Sequence, residues 1–168
     1  MFYEPKKGHP FKIDPFKAII FPRPIGWISS ISKDGIANLA PYSYFNAIAD
    51  EPPQVMFCSN GNSAYRKHKD SLSNILSTKE FVVNFVTSET KTQMNHTSRN
   101  FKPNDDEFIF SKLKKKKSKL IKVPSVKNSP VNLECKLLKI IKLKTNSNKV
   151  STMIIGEVIG VFINNKFI

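Results

Sequence analysis

The sequence predicts a mainly β protein, an antiparallel β-barrel decorated with short helices. Runs rich in β-branched and aromatic residues recur along the chain, and turn-forming residues separate them, which is typical of short strands. Two segments, 70–78 and 90–98, have the composition of short helices. This order differs from the regular alternation of strands and helices that builds a doubly wound sheet.

The individual elements follow from local composition. Residues 1–20 hold three prolines and predict a lead-in with at most a short helix after Asp14. The Asp-Gly pair at 34–35 is a tight-turn signal between the first two strands. Segment 80–86 is almost continuously apolar and is expected at the centre of the sheet. In chain order, the predicted elements are strands 25–32, 36–40 and 54–58, helix 70–78, strand 80–86, helix 90–98, and strands 131–142 and 150–163.

Length and composition limit the class of protein. The chain has 168 residues, which predicts one domain over residues 1–168 with its own core. No apolar run approaches the ~18 residues of a membrane span, and the first residues have no signal-peptide core. Cys58 and Cys135 are too few for a disulfide framework. We therefore expect a cytoplasmic protein without a membrane partner.

The formal net charge of +14 is concentrated in one part of the chain. Residues 112–150 contain 13 lysines and one acidic residue, Glu134. Only three of the 27 basic residues are arginines, whereas nucleic-acid recognition usually relies on arginine forks. We interpret the lysine-rich segment 112–122 as an irregular, solvated surface that attracts anionic nucleotides, and a nucleic-acid partner is disfavoured.

The usual signatures of a metal site or an activated nucleophile are missing from the sequence. The three histidines are scattered, and no CxxC or HxxxH spacing occurs. No GxSxG, GxGxxG or Walker motif occurs either. If the protein is an enzyme, its chemistry is expected to come from an organic cofactor, so we assign no catalytic side chain and no metal.

Two stretches are candidates for binding such a cofactor. In 38–48, small and polar residues alternate with aromatic ones, and the backbone is expected to leave the sheet at Pro41, which has no N–H. Free N–H groups beside rings would suit a flat heteroaromatic ligand, although the composition alone favours a core-lining corner with a satisfied Ser and Asn. In 63–75, basic residues precede a helix that Asp70 or Ser71 is expected to cap. Its N-terminus would suit a phosphate, although an ordinary capped surface helix fits as well.

Several motifs, in this order and at compatible spacing, resemble the flavin reductase-like family of FMN-binding split barrels. The resemblance covers roughly residues 15–165. The motifs include PRPIGWISS at 22–30, NLAPYSYFN at 38–46, KDS at 69–71 and EFVVN at 80–84. The resemblance implies a six-stranded antiparallel Greek-key barrel, a homodimer, and FMN at the subunit interface.

The resemblance also implies a set of cofactor-binding residues. Four of them would lie along the isoalloxazine edge and four would surround the ribityl phosphate or its loop. The first four are Ser43, Tyr44, Phe45 and Asn46, and the second four are Ser59, Lys69, Asp70 and Ser71. The roles of Arg23 and Trp27 stay open, and Trp27 is also interpreted as a core residue. Family members usually continue past this chain's end with a closing segment, so the resemblance also suggests a C-terminal truncation.

The activity implied by the resemblance is hydride transfer from NADH or NADPH to FMN. Reduced flavin would then supply electrons to a monooxygenase or another acceptor. The alternative is a flavoredoxin-like electron carrier that holds FMN without turning over a nicotinamide itself. A third interpretation is a basic β-barrel that binds nucleic acid.

Overall fold

A computed structural model describes residues 1–65, 68–145 and 148–168. Within these residues it contains nine strands, four α-helices and two 3-10 turns, the turns at Pro5–Lys7 and Asn165–Phe167. The strands are β1 (Gly26–Ile31), β2 (Ala37–Tyr42), β3 (Phe45–Asp50), β4 (Pro53–Asn60), β5 (Glu80–Asn84), β6 (Lys115–Lys116), β7 (Ser125–Val126), β8 (Val131–Lys142) and β9 (Ser151–Ile163). The α-helices are α1 (Pro15–Ile19), α2 (Asp70–Thr78), α3 (Lys91–His96) and α4 (Glu107–Phe110).

Seven of these strands form one antiparallel sheet with the order β2-β1-β5-β8-β9-β4-β3. The two edge strands, β2 and β3, are consecutive in the chain and are joined only by Ser43 and Tyr44. Because such a short connection cannot span an open sheet, the sheet curls until its two edges approach each other. The mainly β barrel class is therefore confirmed, with seven strands in the described sheet where six were expected.

The additional strand is β3, which the sequence pattern does not predict. The expectation that the backbone leaves the sheet at Pro41 is wrong, because β2 continues to Tyr42 and Pro41 pairs with Trp27. A proline is tolerated there because β2 is an edge strand. The chain turns at 43–44 and re-enters the sheet as β3.

Helix α2 matches its predicted bounds, but its N-terminus differs from the prediction. Neither Asp70 nor Ser71 is the N-cap residue: that position is Lys69, whose side chain makes no capping hydrogen bond. The Ser71 hydroxyl instead donates to Asn38 in β2, so it is not available to the helix end.

The sequence does not predict the short helix α4. The Asp106 carboxylate caps this helix by accepting from the Phe108 N–H at 3.0 Å.

Buried side chains form a main core inside the barrel and a second cluster on its outer face. The main core includes Phe57 and Phe81, whose rings meet edge to face at 5.6 Å. In the second cluster Trp27 is fully buried with Phe108. Trp27 is therefore a core residue, and its indole N–H donates to Thr97 Oγ1 at 2.9 Å. Among the described residues, no helix is both long and apolar enough to cross a bilayer.

Close packing in the barrel core leaves no room for a side chain at Gly156. A Cβ at Gly156 would overlap the ring of Phe81, which is fully buried and cannot move aside. We expect Gly156→Ala to lower the free energy of unfolding by about 1–3 kcal/mol through overpacking, measured by urea denaturation. Gly160→Ala is the matched control, because its Cβ would be tight only against the end of Leu120, an exposed side chain, and would make ordinary contacts with the Glu134 side chain at 3.6–3.8 Å. Equal losses in the two variants would contradict this account.

Candidate functional site

A polar cleft of about 120 Å³ opens where the end of β2, the start of α2 and the segment after α3 meet. From β2 it is lined by residues 40–42, and from α2 by Lys69, Asp70 and Ser71. Residues 97–101 form the opposite wall. The structure thus brings the predicted phosphate-binding residues of α2 next to the end of the strand that leads into the predicted ring-binding stretch.

The four residues predicted along the ring edge lie beside the cleft rather than in its lining. Ser43 and Tyr44 form the turn between β2 and β3, and Phe45 and Asn46 begin β3. The turn is held against β4, because the Tyr44 carbonyl accepts a hydrogen bond from the Cys58 N–H at 2.9 Å. The first three residues are half-buried and Asn46 is exposed, so the turn presents an accessible surface next to the cleft.

Neighbouring groups fix the two aromatic residues of the turn. Phe45 packs against Gly26, where any side chain would collide with its ring. The Arg23 guanidinium lies over the Tyr44 ring, 5.5 Å from its centroid. Arg23 therefore contacts the predicted ring-binding turn, which gives this motif residue a position at the site.

At the N-terminus of α2, Lys69 is half-buried at the N-cap position. The first N–H groups of a helix have no intrahelical acceptor, and the helix dipole makes this end partly positive. Burial lowers the pKa of the Lys69 ammonium from its usual value. A cation and N–H groups that have no intrahelical acceptor, at the same end of the helix, are suitable donors for an anion.

A buried hydrogen-bond network forms the floor of the cleft. The Glu107 carboxylate accepts from Asn38 Nδ2 at 2.6 Å and from the Leu39 N–H at 3.0 Å. With the Asn38 amide oriented in this way, its Oδ1 accepts from the Ser71 hydroxyl at 2.7 Å and from the Ser30 hydroxyl at 3.3 Å. The network joins β1, β2, α2 and α4, so it fixes the start of α2 relative to the end of the barrel.

Two titratable groups of this region have strongly shifted pKa values. Burial raises the pKa of Glu107 to about 7, which its hydrogen bonds partly oppose, and the nearby Asp70 raises it slightly further. Burial likewise raises the pKa of the Tyr42 phenol to about 12, although the hydroxyls of Ser71 and Ser59 lower it. Glu107 therefore titrates near neutral pH, whereas Tyr42 keeps its proton there.

The eighth predicted residue, Ser59, lies near the end of β4 and is 1% exposed. Its Oγ lies close enough to the Tyr42 phenol to lower the pKa of that group, but among the residues that the structure describes it forms no hydrogen bond of normal geometry. A buried hydroxyl that is poorly paired is costly, and it commonly marks a place where a ligand or a water completes the site. Ser59 also adjoins Tyr42, so it lies below the junction of the cleft and the turn.

Sequence patterns do not identify several lining residues. The wall at 97–101 and the floor residue Glu107 come from segments distant in the chain from β2 and α2. Their only signal is that Thr97 and Glu107 fall within stretches that share the family resemblance, whereas Asn38 already belongs to the predicted stretch 38–48. The basic residues Arg66 and Lys67, part of the predicted phosphate-binding stretch, lie outside the described residues.

Within residues 1–65, 68–145 and 148–168, no group of three or more potential metal ligands occurs.

Comparison with known proteins gives a family match over most of the chain. Residues 18–167 match the model of the flavin reductase like domain. An uncharacterized protein of Aquifex aeolicus is 47% identical over 121 residues, which cover 72% of this chain and 61% of that protein. The matched part thus spans about three fifths of the length of this relative.

Solved structures of related proteins share the fold. Nitrilotriacetate monooxygenase component B from Bacillus cereus superposes with a TM-score of 0.88 at 30% identity, covering 100% of this chain and 84% of that chain. A 2-nitrobenzoate 2-nitroreductase from Pseudomonas fluorescens gives a TM-score of 0.79 at 27% identity, covering 95% and 78%. Both are similar to this chain along nearly its whole length.

Proposed function

Because this chain belongs to the flavin reductase-like family, we propose that it is an FMN-binding oxidoreductase that uses NADH or NADPH. The bound flavin would supply the redox chemistry, accepting a hydride from the nicotinamide and passing electrons on. The protein's own residues would bind the cofactor, orient its ring and admit the nicotinamide to one face. No side chain of this chain is assigned as acid, base or nucleophile.

The cleft suits the phosphate end of FMN. Lys69 and the first N–H groups of α2 are donors for a phosphate. Ser71 would contribute its backbone N–H, because its hydroxyl already donates to Asn38. Asp70 would have to direct its carboxylate away from the phosphate. At about 120 Å³ the cleft is smaller than the ~300–1,000 Å³ of sites that enclose a whole ligand, so the ring would lie outside it.

The turn at 43–46 suits the ring. It joins the cleft directly, because Tyr42 lines the cleft and Ser43 follows it. The half-buried ring of Tyr44 offers an apolar surface for a flat heteroaromatic group, and the polar side chains of Ser43 and Asn46 offer partners for its edge. The proposal rests mainly on one observation: a helix N-terminus that is suited to bind a phosphate lies next to a turn that is suited to bind a flat ring.

The nicotinamide step separates an oxidoreductase from a carrier. FMN-loaded protein is mixed anaerobically with NADH or NADPH, and absorbance near the flavin maximum is followed. The proposal predicts rapid bleaching with at least one of the two nucleotides. Bound flavin that a chemical reductant bleaches but neither nucleotide does would favour the flavoredoxin-like carrier instead.

The proposal extends to partners and location. The electron acceptor would be a monooxygenase or another redox protein, since one similar structure is a monooxygenase component B. A homodimer would cover the exposed ring-binding turn and β3, whose residues 46–50 are all exposed. Exposed apolar side chains of the lead-in, such as Phe2 and Phe21, would add to this interface.

Both cysteines are free, which suits a cytoplasmic protein.

Replacing Lys69 tests the placement of the phosphate. A charge-assisted hydrogen bond contributes ~1.5–3 kcal/mol, so Lys69→Ala is expected to weaken FMN binding by roughly ten- to a hundredfold. Riboflavin has the same ring without the phosphate, and its affinity is expected to stay nearly unchanged. Fluorescence titration with both ligands measures the difference, and Lys33→Ala, at the exposed β1–β2 turn, is the charge control. Equal weakening of both ligands would place the phosphate elsewhere.

A further inference from the structure

An exposed lysine cluster lies on the side of the barrel formed by β5, β8 and β9. We call residues 112–127 the lysine loop; it contains eight lysines and no acidic residue. Among the described residues, only one of these lysines, Lys115, forms an ion pair, with Asp106. Residues 1–111, in contrast, hold 13 basic and 11 acidic residues. The positive charge is therefore localised and largely uncompensated.

The lysine loop is anchored rather than loosely attached, although most of it has no regular structure. The buried Glu134 carboxylate accepts from the N–H groups of Lys119 and Leu120, both at 2.8 Å. Ile121 and Val123 pack on Val82 of β5 in a third apolar cluster. Because these contacts fix the backbone, the lysines surround a surface of defined shape, and little ordering entropy would be lost on binding.

A recess of about 250 Å³ lies within this cluster. Its apolar side is formed by Leu120, Val161 and Phe162, and the first two are 58% and 60% exposed. Lys117 and Lys119 line the same recess and are exposed. An apolar centre with a charged rim is the arrangement found in protein–protein interfaces.

The details of the recess disfavour nucleic acid as its occupant. The Lys116 ammonium lies 3.0 Å from the centroid of the Phe162 ring and also donates to Asn132 Oδ1 at 2.7 Å. This cation covers one face of the ring, which leaves that face unavailable for stacking a base. The lysine loop also has no arginine for bidentate phosphate or base contacts. A second copy of this chain is disfavoured at this surface, because its residues 1–111, with 13 basic and 11 acidic residues, offer no excess of carboxylates to pair with these lysines.

We propose that the lysine loop and its recess form a docking surface for an acidic partner protein. Carboxylates of the partner would pair with the exposed lysines, while an apolar side chain would enter the recess between Leu120 and Phe162. Charge complementarity would mainly accelerate the encounter, and the apolar contact would stabilise the complex. This surface is separate from the cleft at α2, so the proposal does not depend on flavin binding.

The test uses a fluorescent glutamate-rich peptide with a central Leu-Phe pair, measured by anisotropy at physiological salt. The triple variant Lys114→Gln, Lys117→Gln, Lys119→Gln is expected to bind it about tenfold more weakly. The control variant removes the same charge from exposed positions of β8; it consists of Lys136→Gln, Lys139→Gln and Lys142→Gln and is expected to bind normally. Replacing the Leu-Phe pair of the peptide by Ser-Ser should also weaken binding about tenfold.

Three results would overturn the proposal. One is an equal loss of affinity in the two triple variants, and another is a peptide affinity that does not depend on the Leu-Phe pair. The third is tighter binding of a single-stranded oligonucleotide of equal charge, which would indicate a nucleic-acid surface. Circular dichroism of the same variants shows that they fold, and FMN titration is the separate readout: unchanged FMN affinity shows that the flavin site is not involved.

Discussion

Glu107→Ala is expected to lower the free energy of unfolding by about 2–6 kcal/mol. The carboxylate accepts from Asn38 Nδ2 and from the Leu39 N–H, and both donors are buried. Without Glu107 each would lose its acceptor inside the protein, at a cost of ~1–3 kcal/mol per donor. Urea denaturation followed by circular dichroism measures the loss.

The control for this substitution is Glu89→Ala, which removes a carboxylate from an exposed position. Surface changes of that kind usually alter stability by less than ~0.5 kcal/mol. If Glu107→Ala were as mild as Glu89→Ala, the network on the cleft floor would not be an important link between β2 and α4.

Glu107 is also expected to make stability fall as the pH rises from about 4.5 to about 7. Burial raises its pKa from 4.5 to about 7, so between these values the folded protein binds a proton that the unfolded chain has released. The contribution of Glu107 to the free energy of unfolding is fully present below its pKa in the unfolded chain and is lost as the pH passes through its pKa in the folded protein. The pKa shift corresponds to about 3 kcal/mol of unfolding free energy.

The comparison with Glu107→Gln isolates this contribution from the other titrating groups. Glutamine is nearly the same size and has no charge, so the variant lacks the Glu107 proton linkage. The difference in unfolding free energy between the wild-type protein and the variant should fall by about 3 kcal/mol from pH 4.5 to pH 7.5. Parallel stability curves would show that Glu107 titrates normally despite its burial.

Local sequence patterns predict most of the barrel but miss β3, α4 and the short strands β6 and β7, of which β6 lies in the segment 112–122 that was expected to be irregular. The Asp-Gly turn and the apolar runs of β5, β8 and β9 give the correct strands, because these signals are local. β3 was missed because its last five residues are exposed, so it lacks the alternation of a half-buried strand. The sequence pattern misplaces the end of β2 at Pro41. A proline is tolerated within β2 because this strand lies at the edge of the sheet, and the position of a strand in the sheet depends on the whole topology.

The candidate site was predictable only in part for a related reason. Lys69 could be placed at a helix N-terminus from the neighbouring pattern alone, and the structure puts it there. The Glu107 contact with the Leu39 N–H joins residues 68 positions apart, and no local pattern carries that information. Local reasoning also assigned the Ser71 hydroxyl to the helix cap or a phosphate, whereas tertiary packing gives it to Asn38. The resemblance supplied the order of the motifs but not these contacts.

FMN binding at the cleft of α2 and the turn at 43–46 requires that the protein retain FMN, and a visible absorption spectrum measures this. The purified protein is incubated with excess FMN, passed through a desalting column, and scanned against the free cofactor. We expect a flavin spectrum, shifted by the protein environment, to elute with the protein in stoichiometric amount. A colourless protein that also fails to quench FMN fluorescence in titration would contradict this expectation.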